Sequence, residues 1–287
     1  MDNIKQILPH DNDFLQRTVV IDKPAKKLWY IGSIPPLTPT VGSRKPTSYG
    51  RAVNAQITGE LARHRVVIVS GLAIGHDGLA HRACLDAGGT TVAVLGNGLA
   101  HIYPQTNRTL AQRIVQAGGA LISEYPPEVL PHQFLERNRL ISALADIVVV
   151  IEAGERSGTL NTASHALTQG KEVMAVPGNI TSPLSTGCNR LIAQGAGPVL
   201  MAQDILDRLP LAKTEDRPDR QAERADQVRF DSPDSQTIYD LIVQGESDGD
   251  RLLSKSGLST SQFSLALTML ELNGYIVALG NNTWGRR

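Results

Sequence analysis

Short, continuous apolar runs recur along the first two thirds of the chain and predict strands that are buried on both faces of a sheet. These runs, rich in valine and isoleucine, occupy residues 66–69, 91–95, 120–123, 147–151 and 172–176. Stretches with helical periodicity separate them, at residues 48–64, 76–87, 105–117, 134–144, 157–169 and 185–195. Alternation of strand and helix is typical of βαβ units, whose crossovers make the strands parallel. The pattern therefore predicts an α/β core with a parallel sheet.

The hydrophobic pattern changes near residue 207. Residues 207–231 hold many acidic and basic side chains and few large apolar ones, which is typical of a solvated linker. Apolar residues then recur at helical spacing around Ile238, Leu252 and Phe263, and a strand–turn–strand pattern follows. Three helices and a hairpin predict a winged helix. We therefore expect a short lead-in at 1–30, a core at 31–208, a charged linker at 209–232 and a winged-helix domain at 233–287.

Composition limits the classes of function. Lys+Arg and Asp+Glu both number 28, so the formal net charge is +0; since nucleic-acid binders are usually basic, any DNA-binding surface must be local. Cys84 and Cys188 form no CxxC pair, which supports neither a zinc site nor a disulfide framework. Neither a signal peptide nor an apolar run of roughly 20 residues is evident. We expect a reduced, cytoplasmic protein without metal, cofactor or membrane contact.

Glycine-containing loops stand between the predicted strands and helices. In the first loop, the backbone at Gly42 together with Ser43, Arg44 and Lys45 would suit phosphate oxygens. The alternative is an ordinary polar loop with a helix cap. In the second loop, Ser70 and Gly71 directly follow a strand, where ligands of open α/β sheets bind.

Two later segments carry further candidate residues. Arg137 and Arg139 are two residues apart and do not share a helical face, so that one can face a ligand while the other pairs internally. Phe134, if exposed, would give a base a stacking surface; the alternative is a core residue. The loop that holds Ser157, Gly158 and Thr159 opens a helix and predicts an anion nest.

Familiar nucleotide motifs are incomplete or missing. The segment 96–101 imitates GxGxxG, but His101 replaces the last glycine, and the chain has no GxxxxGK[ST] sequence. His76 and His81 are five apart, which favours a hydrogen-bonding role for His76 over a metal pair. Several small-residue loops follow successive strands and should line one edge of the sheet. Such an edge suits an extended phosphate chain better than one compact metabolite.

The ordered motifs carry a specific resemblance. They are GSRKPTSYG (42–50), SGLAIGHDGLAH (70–81), VAVLGNGLAHIYP (92–104), SEYPP (123–127), FLERNRLISALAD (134–146), VVVIEAGERSGTLNTA (148–163), AVPGNI (175–180) and GCNRLIAQGA (187–196). Together they resemble the DNA-processing protein A family (DprA, also called Smf) over residues 28–208. The tail at 233–287 resembles the winged helix of many members.

The resemblance implies an extended Rossmann-like, mostly parallel, doubly wound α/β fold with a small C-terminal winged-helix domain. It implies a homodimer that binds single-stranded DNA, protects incoming DNA and loads the RecA recombinase during natural transformation, without enzymatic activity. Carried over by motif, the DNA-binding residues are Gly42, Ser43, Arg44, Phe134, Arg137, Asn138 and Arg139, with Ser157, Gly158 and Thr159 as weaker candidates.

Two other functions remain open. Residues 154–159 partly resemble the loop of the lysine-decarboxylase-like phosphoribohydrolases, which would make the chain a nucleotide-processing enzyme. However, Asn161 or Thr162 stands where that chemistry needs a carboxylate. In the third hypothesis, the core is a scaffold and the winged helix alone contacts DNA. The predicted recognition helix near 259–272 is poor in Arg and Lys, which argues against strong duplex binding.

Overall fold

The computed structural model describes residues 3–36, 39–40, 47–130, 134–155, 157–209, 230, 232–280 and 282–286. The chain divides into two compact units, Met1–Ala212 and Lys213–Arg287. Almost all of the charged linker predicted at 209–232 lies outside the described residues.

The first unit alternates strands and helices, as the pattern predicted. Its strands are β1 (Lys5–Ile7), β2 (Leu28–Gly32), β3 (Pro39–Thr40), β4 (Val67–Ser70), β5 (Thr91–Leu95), β6 (Ala120–Ser123), β7 (Ile147–Val150), β8 (Glu172–Ala175) and β9 (Gly197–Pro198). Its helices are α1 (Ser48–Arg63), α2 (His76–Asp86), α3 (Arg108–Gln116), α4 (Phe134–Leu144), α5 (Gly158–Thr168), α6 (Thr186–Ala193) and α7 (Ala202–Leu206). Short 3₁₀ turns occur at Pro9–Asp11, Leu15–Thr18 and Gln105–Asn107.

The described strands form two hydrogen-bonded groups. The larger has the order β1-β2-β6-β5-β4-β3, and the smaller has the order β7-β8-β9. Strands β3 to β6 pair in parallel, as do β7 to β9, whereas β1 and β2 pair antiparallel at one edge. Strand β3 lies beside β7. The Rossmann-like, mostly parallel sheet is confirmed.

Helices cover both faces of the sheet, which explains why its strands are apolar without alternation. Val67 and Val69 of β4 belong to a core cluster that includes Leu140 of α4. Ile68, between them, belongs to a second cluster with Leu61 of α1. Successive side chains of a strand point to opposite faces, so a doubly covered strand must be apolar at every position.

The lead-in predicted for residues 1–30 is part of the folded core, so the core boundary predicted at residue 31 is wrong. Strand β1 pairs with β2 through Ile7 and Leu28, and β2 pairs with β6. Phe14 and Leu15 are buried in the same cluster as β4. A three-residue strand and two 3₁₀ turns are too short to show a hydrophobic period, which is why the pattern did not reveal them.

The second unit has the three helices and the hairpin of a winged helix. They are α8 (Pro233–Val243), α9 (Gly249–Ser256), α10 (Thr260–Leu272), β10 (Ile276–Gly280) and β11 (Thr283–Arg286). Its core is built from one face of each helix, with Ile238, Leu252, Phe263 and Leu270 buried together. Helix α10 starts with a capping box between Ser259 and Gln262.

Helix α2 carries a buried histidine with a fixed tautomer. The Thr91 hydroxyl donates to the Ile68 carbonyl at 2.7 Å, so His81 Nδ1, 2.7 Å from that hydroxyl oxygen, must carry a proton. His81 Nε2 is buried and has no hydrogen-bond partner among the described residues. Burial lowers the pKa of His81 from 6.5 to about 4.

This burial predicts that acid destabilises the core. As the pH falls from about 6.5 toward 4, the unfolded chain protonates His81 while the folded chain does not, so the free energy of unfolding decreases. Because proton binding is linked to folding, the free energy of unfolding should be about 2 kcal/mol lower at pH 5 than at pH 7. His81→Gln should remove this part of the pH dependence in urea unfolding at pH 7 and pH 5. His64→Gln, at an exposed position, is the control; an unchanged pH dependence in His81→Gln would contradict the assignment.

Candidate functional site

The loops that the sequence analysis singled out meet at one edge of the fold. Parallel strands β4, β5 and β6 end at the same edge, and each is followed there by a loop and a helix. We use the name rim for the described residues at this edge, which are 71–75, 96–107, 124–130, 151–155 and Ser157. The predicted phosphate loop with Gly42, Ser43, Arg44 and Lys45 lies outside the described residues. The next described residue, Thr47, is at the rim, because it contacts the loop after β7.

A buried carboxylate, Glu152, joins three of these loops. Its side chain is 3% exposed and accepts hydrogen bonds from the Thr47 amide at 2.9 Å and the Thr47 hydroxyl at 2.6 Å. Its Oε2 atom is 3.0 Å from His76 Nε2. Thr47 caps α1, His76 opens α2, and Glu152 follows β7, so one side chain fixes the starts of two helices against a third loop. The sequence analysis did not single out Glu152; an acidic residue directly after a buried strand was the available signal.

His76 has the hydrogen-bonding role that the sequence favoured, and its contacts also define which ring nitrogen carries the proton. The Asn54 side-chain amide lies 3.0 Å from His76 Nδ1, and Thr58 donates to the Asn54 oxygen, which turns the NH₂ group toward the ring. His76 Nδ1 therefore accepts and Nε2 donates to Glu152. Burial lowers the pKa of His76 below its ordinary value. Burial alone would raise the pKa of Glu152, but hydrogen bonds from Thr47 and His76 outweigh it and hold that pKa below the ordinary value.

Internal carboxylates occupy the N-termini of both α1 and α2. Glu152 lies at the start of α1, and Asp77 accepts from the backbone amides of Gly71 at 3.1 Å and Ala73 at 3.3 Å. A helix N-terminus attracts anions through its unpaired amides and its dipole. A carboxylate of the protein therefore already lies at each of these helix starts, Glu152 beside the Thr47 N-cap of α1 and Asp77 in the first turn of α2. This internal negative charge disfavours a phosphate at either position.

This corrects the prediction that Ser70 and Gly71 contact DNA directly. Both residues are buried. The Gly71 amide donates to Asp77, and its carbonyl accepts from Arg137 at 2.9 Å. The two residues therefore belong to the buried framework that holds the rim in shape.

The two arginines of α4 also differ from the prediction, which expected one of them to face a ligand. Arg137 is 1% exposed and donates to the carbonyls of Gly71 and Val94. Arg139 forms a two-pronged ion pair with Glu124 at 2.7 and 2.6 Å. Both guanidinium groups are paired internally, because the helix is buried on two sides rather than on one. They support the rim from below.

Asn138 and the start of α5 form another polar contact. The Asn138 amide donates to the Gly158 carbonyl at 3.4 Å and to the Asn161 side chain at 3.2 Å. Ser157 caps α5 by accepting from the Thr159 amide at 3.3 Å. Ser157 and Gly158 are half-buried, whereas Thr159 is buried. Of this predicted anion nest, Ser157 and Gly158 are the residues that reach solvent.

Phe134 is half-buried and belongs to an aromatic pair at the rim. Its ring centroid lies 5.4 Å from that of Tyr103, with a tilt of 34° between the planes. Tyr103 is 49% exposed. Phe134 is therefore neither an exposed residue nor a core residue, which were the two alternatives that the sequence offered.

The described residues hold few groups for redox or metal chemistry. Cys84 and Cys188 are both buried, and burial raises the pKa of each thiol to about 12. Among the described residues, no three His, Cys, Asp or Glu side chains are grouped as metal ligands. Nor does any described helix combine the length and the hydropathy of a membrane span.

Comparison with known families identifies the chain. The model of the family described as DNA recombination-mediator protein A matches residues 5–210, which include every loop of the rim. The chain belongs to this family. A second model, described as the DprA winged helix domain, matches residues 217–282. This confirms the winged helix that the hydrophobic pattern predicted.

Individual members of the family are similar to this chain in sequence and in structure. The Escherichia coli protein Smf is 40% identical over 250 residues, which cover 83% of this chain and 65% of that protein. DNA processing protein A from Streptococcus pneumoniae has a similar structure, with a TM-score of 0.65, 36% identity and coverage of 72% of this chain and 75% of that one. The protein from Helicobacter pylori, whose structure concerns its single-stranded DNA binding mode, gives a TM-score of 0.62, 30% identity and coverage of 71% and 94%. The chain spans less than two thirds of the Escherichia coli protein's length.

The Glu152 network makes a specific prediction for α1. A Cβ atom on Gly50 would lie 2.0 Å from Glu152 Oε2, whereas a Cβ on Gly59 of the same helix would meet nothing closer than 3.8 Å. Gly50→Ala should displace the carboxylate from its donors and lower the free energy of unfolding by about 1–3 kcal/mol. Gly59→Ala is the matched control and should be neutral or stabilising by up to about 1 kcal/mol. Equal thermal stability of the two variants would show that Glu152 adjusts without cost.

Proposed function

We propose that this protein binds single-stranded DNA along the rim and acts as a recombination mediator in the cytoplasm. It would protect incoming DNA during natural transformation and load RecA onto it. The observation that carries the proposal is the match of the recombination-mediator family to residues 5–210, because that range contains the whole rim. The Helicobacter pylori relative, whose structure concerns single-stranded DNA binding, supports the ligand.

In this proposal, the phosphates are held by side chains rather than by helix N-termini. The carboxylates of Glu152 and Asp77 already lie at the starts of α1 and α2 and accept from the nearby amides of Thr47 and Gly71. Attraction for the strand therefore rests on Arg44 and Lys45, with Gly42 and Ser43 allowing the backbone close to the phosphates. Thr47, tied to Glu152, anchors the end of that loop.

Other residues of the motif take two different roles in the proposal. Phe134, Ser157 and Gly158 reach the surface and contact the strand. The buried residues keep the rim in shape; they are Ser70, Gly71, Arg137, Asn138, Arg139 and Thr159.

The alternative of a nucleotide-processing enzyme draws no support from the geometry. Near the start of α5, where this chemistry needs a carboxylate, the chain has Asn161, whose side chain accepts a hydrogen bond from Asn138. The carboxylate–imidazole pair of Glu152 and His76 is buried, and both ring nitrogens of His76 are engaged. General acid–base chemistry needs a group within reach of the substrate.

The hypothesis that the winged helix alone contacts DNA is also disfavoured. Helix α10 contains neither Lys nor Arg. Its exposed side chains include three large apolar ones, Leu265, Met269 and Leu272. A helix that reads duplex DNA brings cations to the phosphates and polar groups to the bases.

Binding should be strongest at low salt and should depend on Arg44. A fluorescent single-stranded oligonucleotide is titrated by anisotropy over a range of salt concentrations, beside its duplex. We expect preference for the single strand, and Arg44→Ala should weaken binding and reduce the salt slope by about 0.7, the contribution of one phosphate contact. Arg113→Ala is the control. It removes an exposed arginine in the last turn of α3, which is paired with Asp86 of α2. Unchanged affinity in Arg44→Ala would move the site away from this loop.

The family resemblance further suggests a homodimer as the active species. A dimer would place two rims on one particle, so that one strand can engage both. Multi-angle light scattering at micromolar concentration should give about twice the mass of the chain, which is 30.9 kDa. A mass of one chain under those conditions would exclude the dimer.

A further inference from the structure

We infer that Tyr103 stacks on an unpaired nucleobase and makes the rim selective for single strands. This inference rests on the proposed function and extends it, because Tyr103 belongs to none of the motifs assigned to DNA above. The contact is with the base, whereas the phosphate loop contacts the backbone.

The position of Tyr103 suits such a contact. It lies in the rim segment between β5 and α3, and half of its surface is exposed although it packs against Phe134. Tilted and offset arrangements are the ones that aromatic pairs prefer, so Phe134 stabilises one side of the tyrosine ring. The exposed part of the ring is then available to a second aromatic surface.

The segment that carries Tyr103 is held firmly. The Asn97 side chain donates to the carbonyls of Gly98 and His101, and the Ala100 amide donates to the Pro127 carbonyl at 3.0 Å. Downstream, the Asn107 side chain donates to the Leu72 carbonyl at 2.8 Å. A fixed ring loses little conformational freedom when a base stacks on it, which favours binding.

The surroundings of the ring pair fit a base rather than a phosphate. Leu135, which follows Phe134, is exposed and lies 3.8 Å from the position of a Cβ on Gly158. Leu135, the neighbour of Phe134 in sequence, therefore adjoins the half-buried start of α5 at Gly158. An apolar surface next to polar groups matches a nucleotide, whose base is flat and apolar on its faces and whose backbone is charged.

Selectivity follows from what each form of DNA exposes. Single strands and duplexes both present phosphates, so contacts from Arg44 and Lys45 attract both. In a duplex, neighbouring bases cover each base face; in a single strand, an unstacked base can lie against an aromatic ring. A stacking contact at Tyr103 therefore distinguishes the two forms, whereas the phosphate contacts do not.

The test compares three fluorescent ligands of equal length: a single strand, its duplex, and an abasic strand that keeps the phosphates. The full chain is titrated as wild type, Tyr103→Ala and Tyr103→Trp. We expect Tyr103→Ala to bind the base-containing single strand about 5- to 150-fold more weakly. Its affinity for the abasic strand and its salt slope should not change. Tyr103→Trp should retain wild-type binding, and Leu167→Ala, an exposed apolar position in the last turn of α5, is the control.

Four outcomes would overturn the inference. Wild-type affinity of Tyr103→Ala for the base-containing strand would exclude the stacking contact while leaving the proposed function intact. An equal loss on the abasic strand would make Tyr103 a structural residue, as would failure of Tyr103→Trp to restore binding. If the wild type binds no single strand at low salt, the proposed function fails, and this inference fails with it.

Discussion

The functional face depends on one buried carboxylate. Glu152 follows β7, in the smaller group of strands, and its partners Thr47 and His76 belong to segments beside the larger group. These residues are 105 and 76 positions away from it in sequence. A buried carboxylate that loses its partners is strongly destabilising, so the three segments hold one another in place. The starts of α1 and α2 and the loop after β7 are consequently held together rather than placed independently.

That arrangement separates this fold from its nucleotide-binding counterparts. In open α/β sheets the ligand commonly meets helix N-termini at the carboxyl edge of the strands. Here Glu152 and Asp77 supply the negative charge from within the protein. If single-stranded DNA binds at the rim as proposed, recognition therefore falls to side chains that project from it, because function is set by the site and not by the fold.

Most of the architecture could be predicted from the sequence, because the sheet is covered on both faces and its strands are continuous apolar runs. Strands β5 and β6 and helix α4 have the predicted bounds. The lead-in could not be predicted, since its elements before β2 are only three or four residues long and cannot show a repeating hydrophobic pattern. The site was harder still: local spacing shows that Arg137 and Arg139 lie on different faces of α4, but it cannot show that both faces are covered. Glu152 gains its role from residues distant in sequence, and no local pattern contains that information.

The contact between Gly71 and Arg137 has a consequence for protein engineering. A Cβ atom at residue 71 would lie 2.5 Å from the centre of the guanidinium group, and that group is in turn bonded to the Gly71 carbonyl. A side chain at residue 71 would displace the Arg137 guanidinium, so the two positions are best varied together in a library of variants. Exposed side chains at or next to the rim, such as Tyr103 and Leu135, can be randomised without touching this pair. A library that varied residue 71 or 137 alone would instead alter a buried contact that joins the loop after β4 to α4.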